Sequence, residues 1–229
     1  MVYLHKIRLI YTKAKEAIFI PAIDICGVFE RAFRRLEINL GYTKGRTVKP
    51  SIVCANPLPI GIESMCEICD ILIDEERIDT VYLVKDINKV LPDGIIVMNI
   101  STIDLAEKNI SKRVYASIYE IYIEYTDEDY AGKSNKEISE MKKDNLLKMQ
   151  EYLESPVILV LKKTKYRQER LDIKPYIIEH EFAIDGRVRV TIYTGKGKSL
   201  NPEHIMIGYI EHIGRNIEYN IRRTKILYH

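Results

Sequence analysis

The segment IDICGVFERAFRRL, residues 23–36, decides the architecture of the first half of the chain. Its apolar residues, among them Phe29 and Phe33, recur at spacings of three and four, whereas Arg34 falls on the opposite side. This period predicts an amphipathic helix. The preceding residues, 3–12, mix apolar and cationic side chains as an amphipathic strand does. We therefore predict a strand followed by a helix.

Two strands, a helix and a further strand are predicted to follow. Residues 51–58 and 66–73 are short β-like runs, separated by a stretch whose prolines interrupt regular pairing. Asp79 is a suitable N-cap for a helix, and the Pro-Asp-Gly of residues 92–94 stops that helix before the apolar strand 95–103. The resulting order, β-α-β-β-α-β, is that of the ferredoxin-like fold.

The second half of the chain repeats this order with one extra strand. Residues 114–125 alternate as a strand does, and Ser134 with Glu137 forms the S-x-x-E capping box that opens a helix. Further strands, a second helix and a closing strand complete the pattern. We therefore predict an α+β chain of two ferredoxin-like domains with antiparallel sheets, residues 1–105 and 113–229, the second with the extra strand.

The composition describes a folded protein and excludes several classes. Of 229 residues, 46% are hydrophobic and 30% charged, which argues against an overall disordered chain. The net charge is only +2, so bulk charge indicates neither a strongly basic nucleic-acid binder nor an acidic tail protein. No run reaches the roughly 18 apolar residues of a membrane span. Four cysteines are too few for a secreted disulfide scaffold, and we expect a cytoplasmic protein that binds no membrane.

Positive charge is concentrated in four stretches, which the net charge conceals. A basic groove with nearby tyrosines would suit RNA, because phosphates supply affinity and aromatic rings stack on bases. The alternative is ordinary solvated surface charge. The loop 195–198, ahead of a predicted helix, is either a phosphate site or a plain loop. The candidate residues for binding RNA or another anion are Arg31, Arg34, Arg35, Tyr42, Lys44, Arg46, Lys49, Lys163, Arg167, Lys174, Tyr176, Lys196 and Lys198.

Four motifs resemble those of one family. They are FERAFRRLEINLGYTKG at residues 29–45, NPLPIGIES at 56–64 followed by E-x-x-D, LDIKPYI at 171–177 and GKGKSLNPE at 195–203. Through them the whole chain resembles the radical SAM-associated, or radical SAM-linked, proteins, a domain of unknown function. The resemblance implies a domain that is encoded beside, or fused to, radical S-adenosylmethionine enzymes, often near genes of RNA metabolism. It implies no assigned reaction. A radical SAM enzyme and RNA are therefore the expected partners.

The chain departs from that family at two places. Members usually carry Ser-His-Leu-Asp before the first helix and Pro-His-Pro-Lys in the following loop. Here residues 21–24 are PAID and residues 48–51 are VKPS. Both usual histidines are missing, so this chain cannot use them to bind a metal or to transfer protons.

Several acidic residues match the family pattern. Such carboxylates could bind a hard cation, act as acid and base, or simply face solvent. Asp172 with Lys174 is similarly open between an ion pair that fixes the fold and part of a site. The residues of this acidic set are Asp24, Glu63, Glu67, Asp70 and Asp172.

Cys66 and Cys69 form a C-x-x-C motif, but a strand directs residues three apart to opposite faces. The radical SAM cluster motif needs a further cysteine at the position of Ile62, so on that signature the chain is not itself such an enzyme. We expect packed thiols, with a metal clip or a redox dithiol as the alternatives. No metal and no cofactor are expected.

These observations favour a non-catalytic accessory protein that presents RNA or another anionic substrate, or that docks a radical SAM enzyme. The main alternative is an enzyme in its own right that processes or modifies RNA. The missing histidines favour the first hypothesis. A third hypothesis is a protein-interaction module that contacts no nucleic acid.

Overall fold

The computed structural model describes residues 3–44, 46–125, 127–163, 168–183 and 186–229, with the side chains of residues 127, 128 and 163 left out. Helices and mostly antiparallel strands alternate along this mixed α and β chain. They form two compact units, Met1–Tyr115 with Arg223–His229, and Ala116–Arg222. No helix in the described ranges is both long and apolar enough to cross a membrane.

The first unit is built on an antiparallel sheet and two helices. Its elements are β1 (Leu4–Lys13), α1 (Ala22–Arg35), β2 (Ile52–Cys54), β3 (Glu63–Asp74), α2 (Thr80–Val90) and β4 (Ile95–Ile103). They follow one another in the predicted order, and the helix predicted over residues 23–36 is confirmed as α1. Across the sheet the strands lie in the order β4-β1-β3-β2, and all three pairings are antiparallel.

One face of this sheet packs against both helices. Ile7, Leu9 and Tyr11 alternate along β1 and belong to the same buried cluster as Phe29 and Phe33 of α1. The rings of Tyr11 and Phe29 meet edge to face with their centroids 5.0 Å apart. Burying one such phenylalanine stabilises the fold by about 1.5–3 kcal/mol. The helical period of α1 and the strand period of β1 therefore meet in one core.

The opposite face of β3 is also covered. Ile68 on that face packs in a second buried cluster with Ile110, from the segment after β4, and Ile226, near the end of the chain. Because the middle of β3 is buried on both faces, the two acidic side chains there are buried too. Glu67 is 4% exposed and Asp70 is 2% exposed.

The second unit contains antiparallel strands of the nine-stranded sheet and a separate pair of strands. Its elements are β5 (Val114–Glu124), α3 (Asp127–Tyr130), α4 (Asn135–Glu154), β6 (Leu159–Lys163), β7 (Gln168–Asp172), β8 (Ile177–Phe182), β9 (Val188–Gly195), β10 (Lys198–Ser199), α5 (Glu203–Ile213) and β11 (Glu218–Tyr228), with β11 continuing into the first unit from Arg223. β9 pairs with β5, β8 and β10, and β5 is also the neighbour of β11. β6 and β7 pair with each other in a two-stranded sheet.

The predicted capping box at the start of α4 is confirmed. The Ser134 hydroxyl accepts a hydrogen bond from the backbone N–H of Glu137, whose carboxylate accepts one from the backbone N–H of Ser134 at 2.7 Å. The expectation of a single extra strand is wrong, because β6, β7 and β10 all add to the predicted order. β7, with the sequence QERLD, lacks the apolar alternation that predicts a strand.

Candidate functional site

Asp70 joins two parts of the first unit. Its carboxylate accepts hydrogen bonds from Arg8 Nε at 2.7 Å and Arg8 Nη2 at 3.1 Å, and from the backbone N–H of Ile110 at 2.8 Å. Glu107 places a second carboxylate 3.0 Å from the same guanidinium. Asp70 therefore holds the segment after β4 against the sheet.

Glu67 makes a second buried ion pair on the other face of β3. Its Oε1 accepts a hydrogen bond from Arg223 Nη1 at 2.8 Å, and Arg223 is fully buried. The same guanidinium donates to the backbone oxygens of Asn56 and Pro57, at 3.4 and 3.2 Å. Arg223 thus fixes the NPLPIGIES segment against β3, and the solvent-facing interpretation is wrong for both Glu67 and Asp70.

A cavity of about 220 Å³ opens beside Glu67, at the amino end of α1. Three of the sequence motifs meet in its wall: PAID, NPLPIGIES and E-x-x-D. The ammonium of Lys13, at the end of β1, donates to the backbone oxygens of Ile20 at 2.7 Å and Ile18 at 3.3 Å. The wall includes Tyr11, Lys13, Ala22, Asn56, Leu58 and Glu67.

Burial shifts the proton affinities of two groups in this wall. Burial lowers the pKa of the Lys13 ammonium, with Glu67 opposing the shift and Arg223 adding to it. Burial also raises the pKa of the Tyr11 phenol, as do the neighbouring Cys54 thiol and the Glu67 carboxylate. The phenol therefore stays protonated at neutral pH, and the ammonium is more acidic than that of a surface lysine.

The acidic set does not form one cluster. Glu67 and Asp70 point to opposite faces of β3, and Asp24 is exposed in the first turn of α1. Glu63 begins β3, and Asp172 belongs to the second unit. Within the described ranges, no three His, Cys, Asp or Glu side chains come close enough to share a metal ion.

The thiols are packed, and they group differently from the C-x-x-C motif. The Sγ of Cys54 lies 3.3 Å from that of Cys69 and 3.9 Å from that of Cys26. Cys66 lies on the other face of β3, where its thiol is 3.8 Å from the Arg223 backbone oxygen. Cys66 and Cys69 therefore cannot act as a metal clip or a dithiol pair.

The Cys66 thiol should react slowly in the folded protein. Burial, followed by the nearby Glu67 carboxylate, raises its pKa to about 11. At pH 8 only about one thiol in a thousand is then ionised. We expect iodoacetamide to modify Cys66 about 100-fold more slowly in the native chain than in denaturant, measured by mass spectrometry of the Cys66 peptide. Native labelling within a few-fold of the denatured rate would show that the thiol is not buried as described.

The segment between Tyr42 and Pro50 closes into a loop that carries three cations. Tyr42 and Pro50 are joined by an antiparallel bridge. The side chains of Tyr42, Lys44, Arg46 and Lys49 are exposed, and we call these four residues the basic loop. Within the described part of the chain, none of its cationic groups makes a hydrogen bond or an ion pair.

The arginines of α1 do not all lie beside the basic loop. Cys26 of α1 faces the strand that follows the basic loop, because its thiol lies 3.8 Å from the backbone oxygen of Ile52. The hydrogen bond to Cys54 and burial raise the pKa of this thiol, and the Lys49 charge opposes the rise. Arg35 is nine residues from Cys26, half a turn around the helix. Its Nη1 donates to the Val90 backbone oxygen at 2.9 Å. Arg31 lines the same cavity as Arg35. Arg34 forms an ion pair with Glu30 at 2.8 Å.

A second small group of candidates forms in the second unit. The Lys198 ammonium lies 3.9 Å from the centre of the Tyr193 ring and 5.8 Å from that of the Tyr176 ring. Lys196 is exposed in the same turn. The two rings therefore hold one of the predicted cations by cation–π contact.

The loop 195–198 is a hairpin turn and not a cradle at the start of a helix. Gly195 pairs with Lys198 across β9 and β10, and Gly197 has a φ of +88°. α5 begins five residues after the turn, at Glu203. The backbone N–H of Glu203 is taken by the Asn201 side chain at 3.1 Å. Of the two alternatives for this loop, the structure favours the plain loop.

Asp172 and Lys174 fix the fold through backbone groups. The Asp172 carboxylate accepts from the backbone N–H groups of Ile158 and Lys174, both at 3.0 Å. The Lys174 ammonium donates to a backbone oxygen at the end of α4. The Lys174 ammonium is therefore engaged in holding the fold and is not directed at an RNA or anion site. Arg167 and the side chain of Lys163 lie outside the described residues.

Sequence reasoning missed two charged residues of the cavity region. Lys13 continues the alternation of Ile7, Leu9 and Tyr11 along β1, and Arg223 continues that of Ile221 along β11. The sequence signal for such a residue is a Lys or Arg at a position where the strand alternation predicts a buried apolar side chain. Such a cation needs an acidic or carbonyl partner, which here is supplied from other elements.

Comparison with known proteins shows a family and no activity. No curated protein matches the chain. A solved structure titled "Crystal Structure of an Unknown Protein from Galdieria sulphuraria" is similar at 12% identity over 96% of this chain and 99% of that chain, with a TM-score of 0.26, too low to carry an argument. A family model described as "Uncharacterized protein conserved in bacteria (DUF2344)" matches residues 6–202, and nothing in these matches links it to radical SAM enzymes. By that match, the chain belongs to the DUF2344 family of uncharacterised bacterial proteins.

Proposed function

We propose that this protein is a non-catalytic accessory protein that binds RNA through the basic loop and presents it to a partner enzyme. The observation that carries the proposal is that Lys44, Arg46 and Lys49 are exposed on one closed loop without an acidic partner among the described residues. Such cations can neutralise phosphates and release counterions, which supplies much of the affinity for RNA. Tyr42, 56% exposed, offers a ring on which a base can stack.

We further infer that both units are ferredoxin-like. The order β4-β1-β3-β2 in the first unit and the order β11-β5-β9-β8 in the second support this inference, since they are the same arrangement of four strands. β6 and β7 are then an insertion in the second unit. Similar sheets occur in RNA-recognition modules, an analogy of fold that adds nothing about the ligand.

We propose a radical SAM enzyme as the partner on the basis of the motif resemblance alone. An accessory protein of this kind should co-purify with its enzyme and show no turnover by itself. Tagged protein purified from its native host and analysed by mass spectrometry tests the partnership. Recovery without any radical SAM subunit would contradict it.

Reversing the charge of the basic loop should weaken RNA binding. We expect Lys44→Glu, Arg46→Glu and Lys49→Glu together to lower the affinity for single-stranded RNA at least tenfold, because the variant cannot neutralise about three of the phosphates. The slope of log affinity against log salt should fall in magnitude by about one for each phosphate that is no longer neutralised. Filter binding over a series of salt concentrations measures both quantities.

A matched control separates the basic loop from net charge. Lys85→Glu, Lys136→Glu and Lys143→Glu together change the net charge equally, on exposed positions of α2 and α4. This variant should bind RNA with nearly the affinity of the unaltered chain. Equal losses of RNA affinity in both variants would show that net charge, and not the basic loop, determines binding. Absence of salt-dependent RNA retention by the unaltered chain would favour a protein-interaction module instead.

The cavity beside Glu67 favours one second candidate, an enzyme that processes or modifies RNA. Lys13 and Tyr11, both with shifted pKa values, line the same cavity as a carboxylate, and such clusters are typical of catalytic sites. Incubating the purified chain with RNA and analysing the products by chromatography and mass spectrometry decides between the candidates. Turnover that Lys13→Met abolishes, in a variant that still folds, would favour the enzyme.

A further inference from the structure

We propose that another cavity of the first unit binds a phosphate monoester, a dianion that a free nucleotide or the phosphorylated end of an RNA strand can supply. The inference goes beyond the proposed function, because it uses none of the residues of the basic loop. The cavity, of about 710 Å³, lies between the segment after β4 and the end of β11. We call it the cationic cavity, and its wall includes Arg8, Glu107, Lys108, Lys112, Arg113 and Tyr228.

Three side chains of this wall keep N–H donors for a ligand. Lys108 and Lys112 are exposed, and within the described ranges neither ammonium makes a hydrogen bond or an ion pair. Arg113 uses Nε on the backbone oxygen of His229 and Nη1 on Glu107, whereas its Nη2 atom has no acceptor among the described residues. Charged donors of this kind form short, strong hydrogen bonds with phosphate oxygens.

Positive charge exceeds negative charge around the cationic cavity. Arg8 and Arg113 both pair with Glu107, and Arg8 also pairs with Asp70. These two carboxylates offset the two guanidinium groups and leave the charges of both wall lysines uncompensated. Behind the wall, Lys6 is 5% exposed, donates to the backbone oxygen of Glu107 at 2.5 Å and forms no ion pair with a described carboxylate. A buried ammonium without a counter-ion is costly, so an anion in the cavity is favoured.

This excess of positive charge favours a dianion over a singly charged ligand. A phosphodiester or a carboxylate carries one negative charge, whereas a phosphate monoester carries about 1.5 to 2 at neutral pH and presents three acceptor oxygens. Those oxygens can accept from Lys108, Lys112 and Arg113 together. The other acidic residue of the segment 104–113 is Asp104, whose carboxylate accepts from the backbone N–H of Ala106 in its own turn at 2.8 Å.

The arginines of the wall are held in place by aromatic rings. The Tyr228 ring centre lies 5.2 Å from the Arg113 guanidinium and 5.8 Å from that of Arg8. The Tyr115 ring stacks on the His229 imidazole with the centroids 4.6 Å apart, which steadies the chain segment whose backbone oxygen binds Arg113. Donors that are fixed beforehand lose less entropy on binding. The volume of about 710 Å³ lies within the roughly 300–1,000 Å³ of small-molecule pockets, so a nucleotide has room.

Isothermal titration calorimetry of the full chain with three adenine compounds tests this inference. Adenosine 5′-monophosphate carries a phosphate monoester, cyclic adenosine monophosphate carries a singly charged phosphodiester on the same base and ribose, and adenosine carries no charge. We expect the monophosphate to bind at least about tenfold more tightly than the cyclic compound, the effect of one further charged hydrogen bond. Adenosine should bind more weakly than both.

A second pair of probes distinguishes a free nucleotide from an RNA end. These probes are one short single-stranded RNA with a 5′-phosphate and the same strand with a 5′-hydroxyl group. An affinity gain of about tenfold from the 5′-phosphate supports recognition of the RNA end. Tight binding of the mononucleotide without that gain supports a free nucleotide as the ligand. The inference is overturned if the terminal phosphate adds no affinity in either pair, or if the cyclic compound binds as tightly as the monophosphate.

Variants of the two wall lysines locate the site. Lys108→Met and Lys112→Met should each weaken the tighter-binding phosphorylated probe about tenfold, and together they should abolish its binding. Lys85→Met with Lys136→Met, at exposed positions of α2 and α4, removes the same charge and should leave the affinity unchanged. Equal losses in both double variants would overturn the inference. Thermal unfolding verifies that each variant folds.

Failure of this site and failure of the proposed function give different results. The variant with a charge-reversed basic loop keeps the cationic cavity intact, so it should bind the mononucleotide as the unaltered chain does. RNA retention without any gain from a terminal phosphate rejects the cationic cavity alone. Mononucleotide binding without RNA retention rejects the proposed function and leaves a nucleotide site.

Discussion

Replacing Asp70 by alanine should lower the free energy of unfolding by about 3–5 kcal/mol. The change leaves the buried Arg8 guanidinium without the carboxylate that it meets at 2.7 Å, and it removes the acceptor of the Ile110 N–H. Glu107 offsets the loss only in part, because its side chain is 29% exposed and that of Asp70 is 2% exposed. Urea denaturation followed by circular dichroism measures the change from the midpoint at constant slope.

The control is an aspartate whose ion pair is exposed. Asp86 meets Lys89 at 2.7 Å on the surface of α2. Asp86→Ala should therefore cost no more than about 0.5 kcal/mol. If Asp70→Ala cost as little, the carboxylate would not hold the segment after β4 to the sheet.

Replacing Gly94 by alanine should destabilise the first unit by about 3 kcal/mol. Gly94 has a φ of +83°, which costs an L-residue roughly 1–2 kcal/mol. In addition, an added Cβ would lie 2.1 Å from the backbone oxygen of Ala14, so the chain must shift, at a cost of about 1–3 kcal/mol. The shift is opposed by the hydrogen bond from the Ala14 N–H to the Gly94 oxygen at 2.8 Å. Thermal and urea unfolding measure the loss.

Gly61→Ala is the control that lacks the close approach, so the difference between the two variants measures the effect of that approach. Gly61 has a φ of +85°, but no atom lies within 4 Å of an added Cβ. This variant should lose only the roughly 1–2 kcal/mol of the left-handed backbone. Equal losses at Gly61 and Gly94 would mean that the turn after α2 adjusts freely around Ala14.

The helices and most strands of the first unit could be predicted because their signals are local. The period of Phe29 and Phe33 marks α1, and the Asp79 carboxylate accepts from the backbone N–H groups of Val81 and Tyr82, as its prediction as an N-cap requires. β7 was missed because its residues are mostly polar and its strand form depends on pairing with β6. The order of strands across a sheet also depends on contacts between distant segments, which no local period encodes.

The candidate site was predicted in part for the same reason. Glu67 stands in a recognisable motif, but Lys13 and Arg223 come from strands at the two ends of the chain. Their meeting with the PAID and NPLPIGIES segments is a product of the tertiary fold. The same lack of local signal explains Asp70, since its Arg8 partner is 62 residues away. Motif spacing alone could not distinguish a buried carboxylate from one that faces solvent.

The burial of β3 on both faces has a consequence for strand register. Shifting β3 by one residue against β1 would exchange its faces and carry Glu67 away from Arg223 and Asp70 away from Arg8. Each acid would then enter an apolar environment, where a carboxylate without a cation is strongly disfavoured. The two ion pairs therefore penalise a one-residue slip of this strand. They therefore select the correct register of β3 against β1, in addition to stabilising the folded chain.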